Sequence, residues 1–226
     1  MEDKLKVLMF GSSGMVGHAV LHECLQNDAV AAITSVGRRS NGVAHPKHSE
    51  LLHADLFDLK PVADRLRGYD ACFYTIGVTS AGMNEADYTR TTYDLTKAIA
   101  EVVLPLNPNM SMVFVSGRST DSSERGPVMW ARVKGRAENL LLGMPFKSVT
   151  IIRLAGLVPA PGGSSSTPLY RVFLGTARVL GPGLHRMWPN FVTTPEILGR
   201  AFIGAAQGKA PKQILESSDI HVLGSA

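Results

Sequence analysis

The stretch that decides the fold is residues 4–17, KLKVLMFGSSGMVG, where an apolar run ends in a turn rich in glycine. Residues 4–10 have the length and composition of a buried parallel strand. Apolar residues at helical spacing follow from Met15 to Gln26. Between the two, residues 11–17 have the pattern G-x-x-G-x-x-G. The stretch predicts a strand, a tight turn and a helix, which is the first unit of an α/β sheet.

Each glycine of this turn has a separate physical task. Gly11 lets the chain turn sharply, Gly14 lets the backbone approach a pyrophosphate, and Gly17 lets helix and strand pack closely. The helix N-terminus then offers free N–H groups and a positive dipole end to phosphates. A tight turn without a ligand is the alternative. We therefore predict a dinucleotide site at seven residues, namely Gly11, Ser12, Ser13, Gly14, Met15, Val16 and Gly17.

The chain then alternates strand-like and helix-like segments. The predicted strands are 4–10, Val30–Val36, Glu50–Ala54, Ala71–Ile76, Met110–Val115 and Ser148–Leu154. The predicted helices are Met15–Gln26, Leu59–Leu66, Asn84–Val103 (closed by Pro105 and Pro108) and Pro127–Leu142. Right-handed crossovers place such helices on both faces of a parallel sheet. The expected fold class is α/β, a doubly wound parallel sheet (Rossmann fold).

The regular alternation lapses after residue 154. Ala155–Pro168 contains three prolines and three glycines, which predicts a mobile loop. Leu169–Val179 and Glu196–Ala206 are typical of helices, and Ile214–Leu223 is amphipathic. Because no repeat and no linker interrupts the chain, we expect one domain over residues 1–226, with a short C-terminal segment on the substrate side.

Composition excludes several classes of protein. The chain has 226 residues, 45% of them hydrophobic, and no apolar run long enough to span a membrane. Its net charge of +4 is too diffuse for a nucleic-acid site. Cys24 and Cys72 lie in apolar stretches and are expected to be buried free thiols. With a polar N-terminus that lacks signal-peptide features, these thiols predict a cytoplasmic protein.

The cofactor type is predicted from the end of the second strand. NAD-binding sites usually have an acidic residue there, whereas this chain has Arg38 and Arg39, whose guanidinium groups suit a 2′-phosphate. NADP(H) is therefore favoured over NAD(H), although both arginines are also typical of a solvated loop. Asp55 is expected either to accept from the adenine amino group or to cap the following helix. Thr75 and Gly77 follow the fourth strand and are expected to line the cofactor.

A second group of residues lies at the carboxyl end of the fifth strand. Ser116 ends that strand, and Trp130 and Lys134 follow on a predicted helix, four residues apart. With the glycine turn, this arrangement resembles an atypical short-chain dehydrogenase/reductase. More narrowly, the chain is similar to the Tat-interacting-protein-type oxidoreductases in Arg38–Arg39, in residues 133–138 (VKGRAE) and in residues 214–224 (ILESSDIHVLG).

The resemblance implies a mechanism in which a serine polarises a carbonyl, a tyrosine donates the proton, and a lysine lowers the tyrosine pKa and binds ribose. Ser116 and Lys134 match two of these positions, but the tyrosine position is Trp130, whose indole N–H cannot supply a proton. Residues 153–156, RLAG, also depart from the family's Arg-Pro-Gly. Tyr74, Tyr93 and Tyr170 are considered as replacements, with packing roles favoured for each.

The histidines do not predict a metal site. His18 and His22 are four residues apart on a helix but lack an acidic partner or a third ligand. His45, His48 and His53 flank a polar loop that Pro46 interrupts. No serine lies on a nucleophile elbow, so hydrolase chemistry is not predicted.

Two hypotheses follow from the sequence. The first is an NADP(H)-dependent oxidoreductase acting on a small carbonyl or alcohol. The second, favoured by Trp130, is a noncatalytic NADP(H)-sensing protein that binds partner proteins. A sugar-nucleotide epimerase or dehydratase is weaker, because the C-terminal segment is short for a substrate domain. The substrate itself is not predicted.

Overall fold

The computed structural model describes residues 4–158 and 192–225. The strands are β1 Leu5–Phe10, β2 Val30–Gly37, β3 His48–Leu52, β4 Ala71–Tyr74, β5 Ser111–Gly117, β6 Ser148–Leu154 and β7 Ile214–Leu215. The α-helices are α1 Met15–Gln26, α2 Glu85–Thr89, α3 Leu95–Leu106, α4 Met129–Leu142, α5 Pro195–Ala206 and α6 Ser217–Ser225. A 3₁₀ helix spans Lys60–Leu66, and a π-helical segment, Arg90–Asp94, joins α2 to α3.

The strands form one parallel sheet in the order β3-β2-β1-β4-β5-β6-β7. The order reverses between β1 and β4, which is the switch point where ligands bind in open α/β sheets. The glycine turn after β1 lies at this point. The prediction of a doubly wound, Rossmann-type sheet is confirmed.

Both faces of the sheet are buried, as a parallel sheet requires. Along β1 the side chains alternate between two apolar cores. Val7 and Met9 pack with helices α1, α5 and α6, whereas Leu8 and Phe10 pack with α3 and α4. The continuous apolar run of the first strand follows from this two-sided burial.

Several element bounds differ from the sequence prediction. Strand β3 begins two residues before the predicted Glu50, because its register with β2 starts at the Ile33–His48 pair. Helix α3 continues through Pro105, since the proline removes one N–H close to the helix end and the Asn107 side chain donates to the Val103 carbonyl (3.0 Å). Strand β7 was missed because two residues carry no periodicity. Its pairing with β6 extends the sheet to seven strands.

Other predictions are confirmed or lie outside the described residues. The predicted helix Asn84–Val103 is found as a helical run from Glu85, capped by the Asn84 side chain, which accepts from the Asp87 N–H at 2.9 Å. The predicted helix Leu169–Val179 and most of the predicted loop Ala155–Pro168 lie outside the described ranges. No helix in the described ranges is long and apolar enough to cross a membrane.

A buried ion pair ties helix α4 to strand β6. The Arg153 guanidinium donates to both carboxylate oxygens of Glu138 (Nε–Oε1 3.2 Å, Nη2–Oε2 2.6 Å), and the Glu138 side chain is fully buried. Arg153 also donates to the Ser122 hydroxyl (2.5 Å) and pairs with the half-exposed Glu216 at 3.5 Å. The hydrogen bonds to Glu138 raise the pKa of Arg153 above its usual value. The pair therefore fixes α4 relative to the sheet.

We expect Glu138→Ala to lower the free energy of unfolding by about 3–5 kcal/mol, because it leaves the Arg153 cation largely buried without its main partner. Glu216→Ala is the matched control and should change it by less than about 1 kcal/mol, since that pair is solvent-screened. Urea titration of both variants measures the difference. Equal effects of the two substitutions would contradict this account of the pair.

Candidate functional site

The glycine turn is closed by contacts between β1, α1 and β4. Gly11 has a φ of +91°, and a Cβ there would lie 2.6 Å from the Ile76 backbone nitrogen. A Cβ at Gly17 would overlap the Gly11 carbonyl oxygen and lie 2.7 Å from Thr75 Oγ1. Thr75 in turn donates to the Phe10 carbonyl at 2.8 Å. These two glycines are therefore required by packing alone.

Gly14 differs from the other two glycines. It is the N-cap of α1, with extended backbone (φ −77°, ψ 166°), and no side chain in the described ranges caps the helix at this residue. A Cβ at Gly14 would meet only the Gly11 carbonyl oxygen, at an ordinary 3.4 Å. Gly14 and Ser13 are exposed, so the first N–H groups of α1 open towards solvent. This geometry leaves room for an anion at the helix N-terminus.

The loop after β2 lies beside this turn. Asn41 Nδ2 donates to Ser12 Oγ at 3.0 Å, which joins the loop to the glycine turn directly. Arg38 and Arg39 are exposed, and neither guanidinium forms an ion pair or hydrogen bond with another of the described residues. Arg38 and Arg39 therefore place two positive charges without an ion-pair partner beside the glycine turn.

The remaining predicted cofactor residues lie at the ends of β3 and β4. Asp55 Oδ1 accepts from the Phe57 N–H at 2.9 Å, so the carboxylate closes a local turn. It does not cap the following helix, Lys60–Leu66, whose N-cap is Leu59 without a side-chain hydrogen bond. Thr75 is buried and its hydroxyl is committed to Phe10, whereas Gly77 is exposed and has open space around it. Of the two residues after β4, only Gly77 presents a free surface.

Ser116 is buried at the end of β5 and bonded within its own loop. Its Oγ lies 3.0 Å from Thr120 Oγ1, and Thr120 donates to the Gly117 carbonyl at 2.7 Å. Because the Thr120 proton is used on Gly117, Ser116 is the donor in the Ser116–Thr120 pair. A carbonyl could accept from Ser116 only after this hydroxyl turns away. Sequence reasoning missed Thr120, which lies in an irregular loop where no periodicity marks it.

The structure brings Trp130 and Ser116 to the same end of the sheet. Trp130 lies in the first turn of α4, and its ring carbon Cζ3 would be 3.6 Å from a Cβ at Gly117, the residue after Ser116. Lys134 follows one helical turn later and is half-buried. The three residues singled out from the sequence therefore belong to one region at the carboxyl edge of β5.

The Lys134 amino group is partly buried and lies near the Glu138 carboxylate. No hydrogen bond or ion pair in the described ranges reaches its ammonium group. Burial lowers the pKa of Lys134, and the nearby Glu138 carboxylate partly opposes the shift. Because Glu138 is engaged by Arg153, the lysine remains available to a ligand.

Tyr74 and Tyr93 make the contacts of packing residues. Tyr74 is buried between Phe10 and Phe114, and burial raises its pKa above the usual value. The Arg136 guanidinium lies over the Tyr93 ring, with its central carbon 4.6 Å from the ring centre. Tyr170 lies outside the described residues. The packing role that was favoured for Tyr74 and Tyr93 agrees with these contacts.

The histidines make local hydrogen bonds. His22 Nε2 lies 3.2 Å from the Gln26 amide, and His53 donates to the Asp58 carbonyl at 2.7 Å. His48 lies between the Val43 carbonyl and Ser35 Oγ, 2.9 Å from each. Within residues 4–158 and 192–225, no three His, Cys, Asp or Glu side chains are grouped to hold a metal ion. Cys24 and Cys72 are buried free thiols, as predicted.

Comparison with known proteins defines the family. The model of the NAD dependent epimerase/dehydratase family matches residues 7–126, which run from β1 through the loop after β5. The chain therefore belongs to this family. Among curated relatives, Protein FMP52, mitochondrial, from Chaetomium globosum is 26% identical over 96% of each chain. Protein fmp52-2, mitochondrial, from Aspergillus terreus is 25% identical over 96% of this chain and 95% of the relative.

Solved structures agree with the fold. The Bordetella bronchiseptica enzyme WbmF, solved with NAD+, has a TM-score of 0.66 at 12% identity and covers 97% of this chain and 77% of its own. MoeE5, solved with UDP-glucose and NAD, has a TM-score of 0.65 at 17% identity, with 97% and 81% covered. At these sequence identities, the structural similarity shows a shared fold and nothing more specific.

The expectation of a cytoplasmic protein is wrong on this comparison, because the curated relatives are named as mitochondrial proteins. That expectation relied on buried thiols and a polar N-terminus. A buried thiol is shielded from oxidants in any compartment, so Cys24 and Cys72 do not identify one.

The geometry of the turn predicts different outcomes at two of its glycines. Gly17→Ala should lower the thermal unfolding midpoint by several degrees, because its Cβ overlaps backbone that cannot move without separating α1 from β1. Gly14→Ala should lower the midpoint much less, since its Cβ has ordinary clearance and only the N-cap preference for glycine over alanine is lost. Calorimetry of the two variants checks this, and a larger loss at Gly14 would refute the assignment of the packing role to Gly17.

Proposed function

We propose that this protein binds NADP(H) and is an oxidoreductase that acts on a small carbonyl or alcohol. The observation that carries the proposal is the exposed, uncapped N-terminus of α1 at Gly14, between two glycines that packing requires. Membership of the NAD dependent epimerase/dehydratase family and the NAD-bound structures of similar fold support a dinucleotide at this place.

The turn residues would hold the pyrophosphate through backbone N–H groups. Gly14 allows close approach because it has no side chain, and the N–H groups of Met15 and Val16 begin α1 without an internal partner. The α1 dipole adds a favourable potential for the two phosphates. Ser12 and Ser13 complete the loop, with Ser12 buried against Asn41 and Ser13 exposed.

The residues around the sheet edge would hold the adenosine half. Arg38 and Arg39 are exposed and unpaired, and planar guanidinium groups match a 2′-phosphate with two hydrogen bonds each. Gly77 leaves space for the ribose after β4. Asp55, although bonded to the Phe57 N–H, keeps further acceptor capacity on its carboxylate for the adenine amino group.

Lys134 would hold the nicotinamide ribose, because its half-buried ammonium group has no partner among the described residues. Bound NADPH would supply a hydride to the substrate. Ser116 would donate to the carbonyl oxygen after leaving Thr120. Trp130 can donate a hydrogen bond but not a proton, so the proton would come from water. These features support slow turnover.

A noncatalytic NADP(H)-sensing protein that binds partner proteins is the second candidate. Trp130 at the tyrosine position favours it, as does the commitment of the Ser116 hydroxyl to Thr120. The narrower resemblance to the Tat-interacting-protein-type oxidoreductases, in residues 133–138 and 214–224, does not distinguish the two candidates. The names of the curated relatives favour a mitochondrial location.

We expect the double substitution Arg38→Ala with Arg39→Ala to weaken NADPH binding well over tenfold. Hydrogen bonds to charged groups contribute about 1.5–3 kcal/mol each, and both guanidinium groups are lost. NADH lacks the 2′-phosphate, so its affinity should barely change. Fluorescence titration with each dinucleotide measures both values. Equal losses for the two cofactors would contradict the assignment of the arginines.

We expect Trp130→Tyr to raise NADPH-dependent carbonyl reduction, because it places an ionisable hydroxyl one helical turn before Lys134. A positioned general acid contributes roughly 10²–10⁴-fold in rate. Trp130→Phe is the matched control and should give no gain, and adding Lys134→Met should remove the gain. A wild type that turns over briskly and slows on Trp130→Tyr would show that another group donates the proton.

A further inference from the structure

A carboxylate on the edge strand β3 holds the loop that carries the two arginines. Glu50 Oε2 accepts from the Ser40 hydroxyl at 2.6 Å, and its Oε1 accepts from the Asn41 backbone N–H at 2.7 Å. The Ser40 hydroxyl also accepts from the Gly42 N–H at 3.1 Å. One side chain therefore fixes two consecutive residues directly after Arg38 and Arg39.

The same loop is joined to the glycine turn. Asn41 Oδ1 accepts from the Val43 N–H at 3.0 Å, which leaves its Nδ2 free to donate to Ser12 Oγ at 3.0 Å. Asn41 thus connects Glu50, on the third strand, to a residue of the proposed pyrophosphate turn. We call Glu50, Ser40, Asn41 and Ser12 the β2–β3 clamp.

Glu50 is suited to this role by its ionisation. Burial alone would raise the pKa of its carboxyl group, but the hydrogen bonds from Ser40 and Asn41 and the nearby His48 together lower it below the usual value. An ionised carboxylate accepts hydrogen bonds at both oxygens, and such charge-assisted bonds are short, as the bond to Ser40 is. The Glu50 carboxylate therefore accepts both of these hydrogen bonds at neutral pH.

We propose that Glu50, acting through Ser40 and Asn41, is a positioning residue for cofactor choice. It holds Arg38 and Arg39 in place for a 2′-phosphate without touching the cofactor. The inference depends on the proposed NADP(H) function. Its physical basis is preorganisation: a fixed loop loses less conformational entropy when its two arginines are ordered on a ligand. NADH makes no use of the arginines, and the pyrophosphate turn that it shares with NADPH is held by the contacts of Gly11 and Gly17 with Thr75 and Ile76. NADH therefore gains little from the clamp.

If Glu50 affected NADPH only through its negative charge, and not through the clamp, its removal would have the opposite effect on binding. A carboxylate near a 2′-phosphate repels it, so removing the charge would then strengthen NADPH binding. Glu50→Gln separates the two effects. Glutamine is neutral, yet its Oε1 can accept from the Asn41 N–H while its Nε2 donates to the Ser40 hydroxyl. Glu50→Ala removes the charge and the clamp together.

The test is calorimetric titration of NADPH and NADH into the full-length wild type, Glu50→Gln and Glu50→Ala. We expect Glu50→Ala to weaken NADPH roughly tenfold, about the effect of one charge-assisted hydrogen bond. NADH should change by less than about twofold, and Glu50→Gln should stay within about threefold of wild type for NADPH. Ser40→Ala, at an exposed residue, is the second variant if Glu50→Ala does not fold, and it should weaken NADPH with NADH unchanged.

A double-mutant cycle makes the test specific. In the Arg38→Ala, Arg39→Ala background, Glu50→Ala should have no further effect on NADPH, because the clamp acts only through the arginines. Three results for Glu50→Ala would each contradict the proposed role of the clamp. These are an unchanged preference for NADPH, tighter NADPH binding, and an equal loss of affinity for both cofactors. A wild type that does not prefer NADPH overturns the proposed NADP(H) specificity itself, before any variant is compared.

Discussion

The structure depends on the contact of Gly17 with Gly11 and Thr75. At this point strand β1, helix α1 and the residues after strand β4 meet without a side chain on either glycine, because a Cβ at either one would overlap backbone. The Thr75 hydroxyl then closes the junction through Phe10. The contact directs the N-terminus of α1 towards the switch point of the sheet, and it leaves Gly14 as the open position. Packing therefore creates the place for an anion.

Much of this arrangement could be predicted from the sequence. The apolar run 4–10 and the spacing of three glycines specify a buried strand, a tight turn and a helix, and the structure contains all three. Ser116 was identified because it lies at the carboxyl end of the fifth strand, where sites of open α/β sheets are found. Trp130 and Lys134 were grouped with it because of the resemblance to short-chain dehydrogenases/reductases. Helix ends were less accurate, since Asn107 allows α3 to continue past Pro105.

The hydrogen bonds and ion pairs of individual side chains could not be predicted in the same way. Periodicity does not show that Ser116 donates to Thr120, that Thr75 is bonded to Phe10, or that Glu138 is held by Arg153. The Ser116–Thr120 bond depends on loop conformation, and the other two depend on how separate strands and helices pack together. They change the functional interpretation, because a committed serine and a tryptophan at the proton-donor position favour binding over fast turnover. The Lys134 side chain, which makes no hydrogen bond or ion pair with the described residues, and the exposed arginines agree with a site that holds a dinucleotide.

A crystal structure of the protein grown with NADPH tests the central claim most directly. The account predicts the pyrophosphate over Gly14 at the N-terminus of α1, within hydrogen-bond distance of the first N–H groups. It also predicts the 2′-phosphate beside Arg38 and Arg39, with the loop in the position that the bond between Asn41 and Ser12 gives it. A cofactor bound elsewhere, or a pyrophosphate that does not contact this turn, would contradict it.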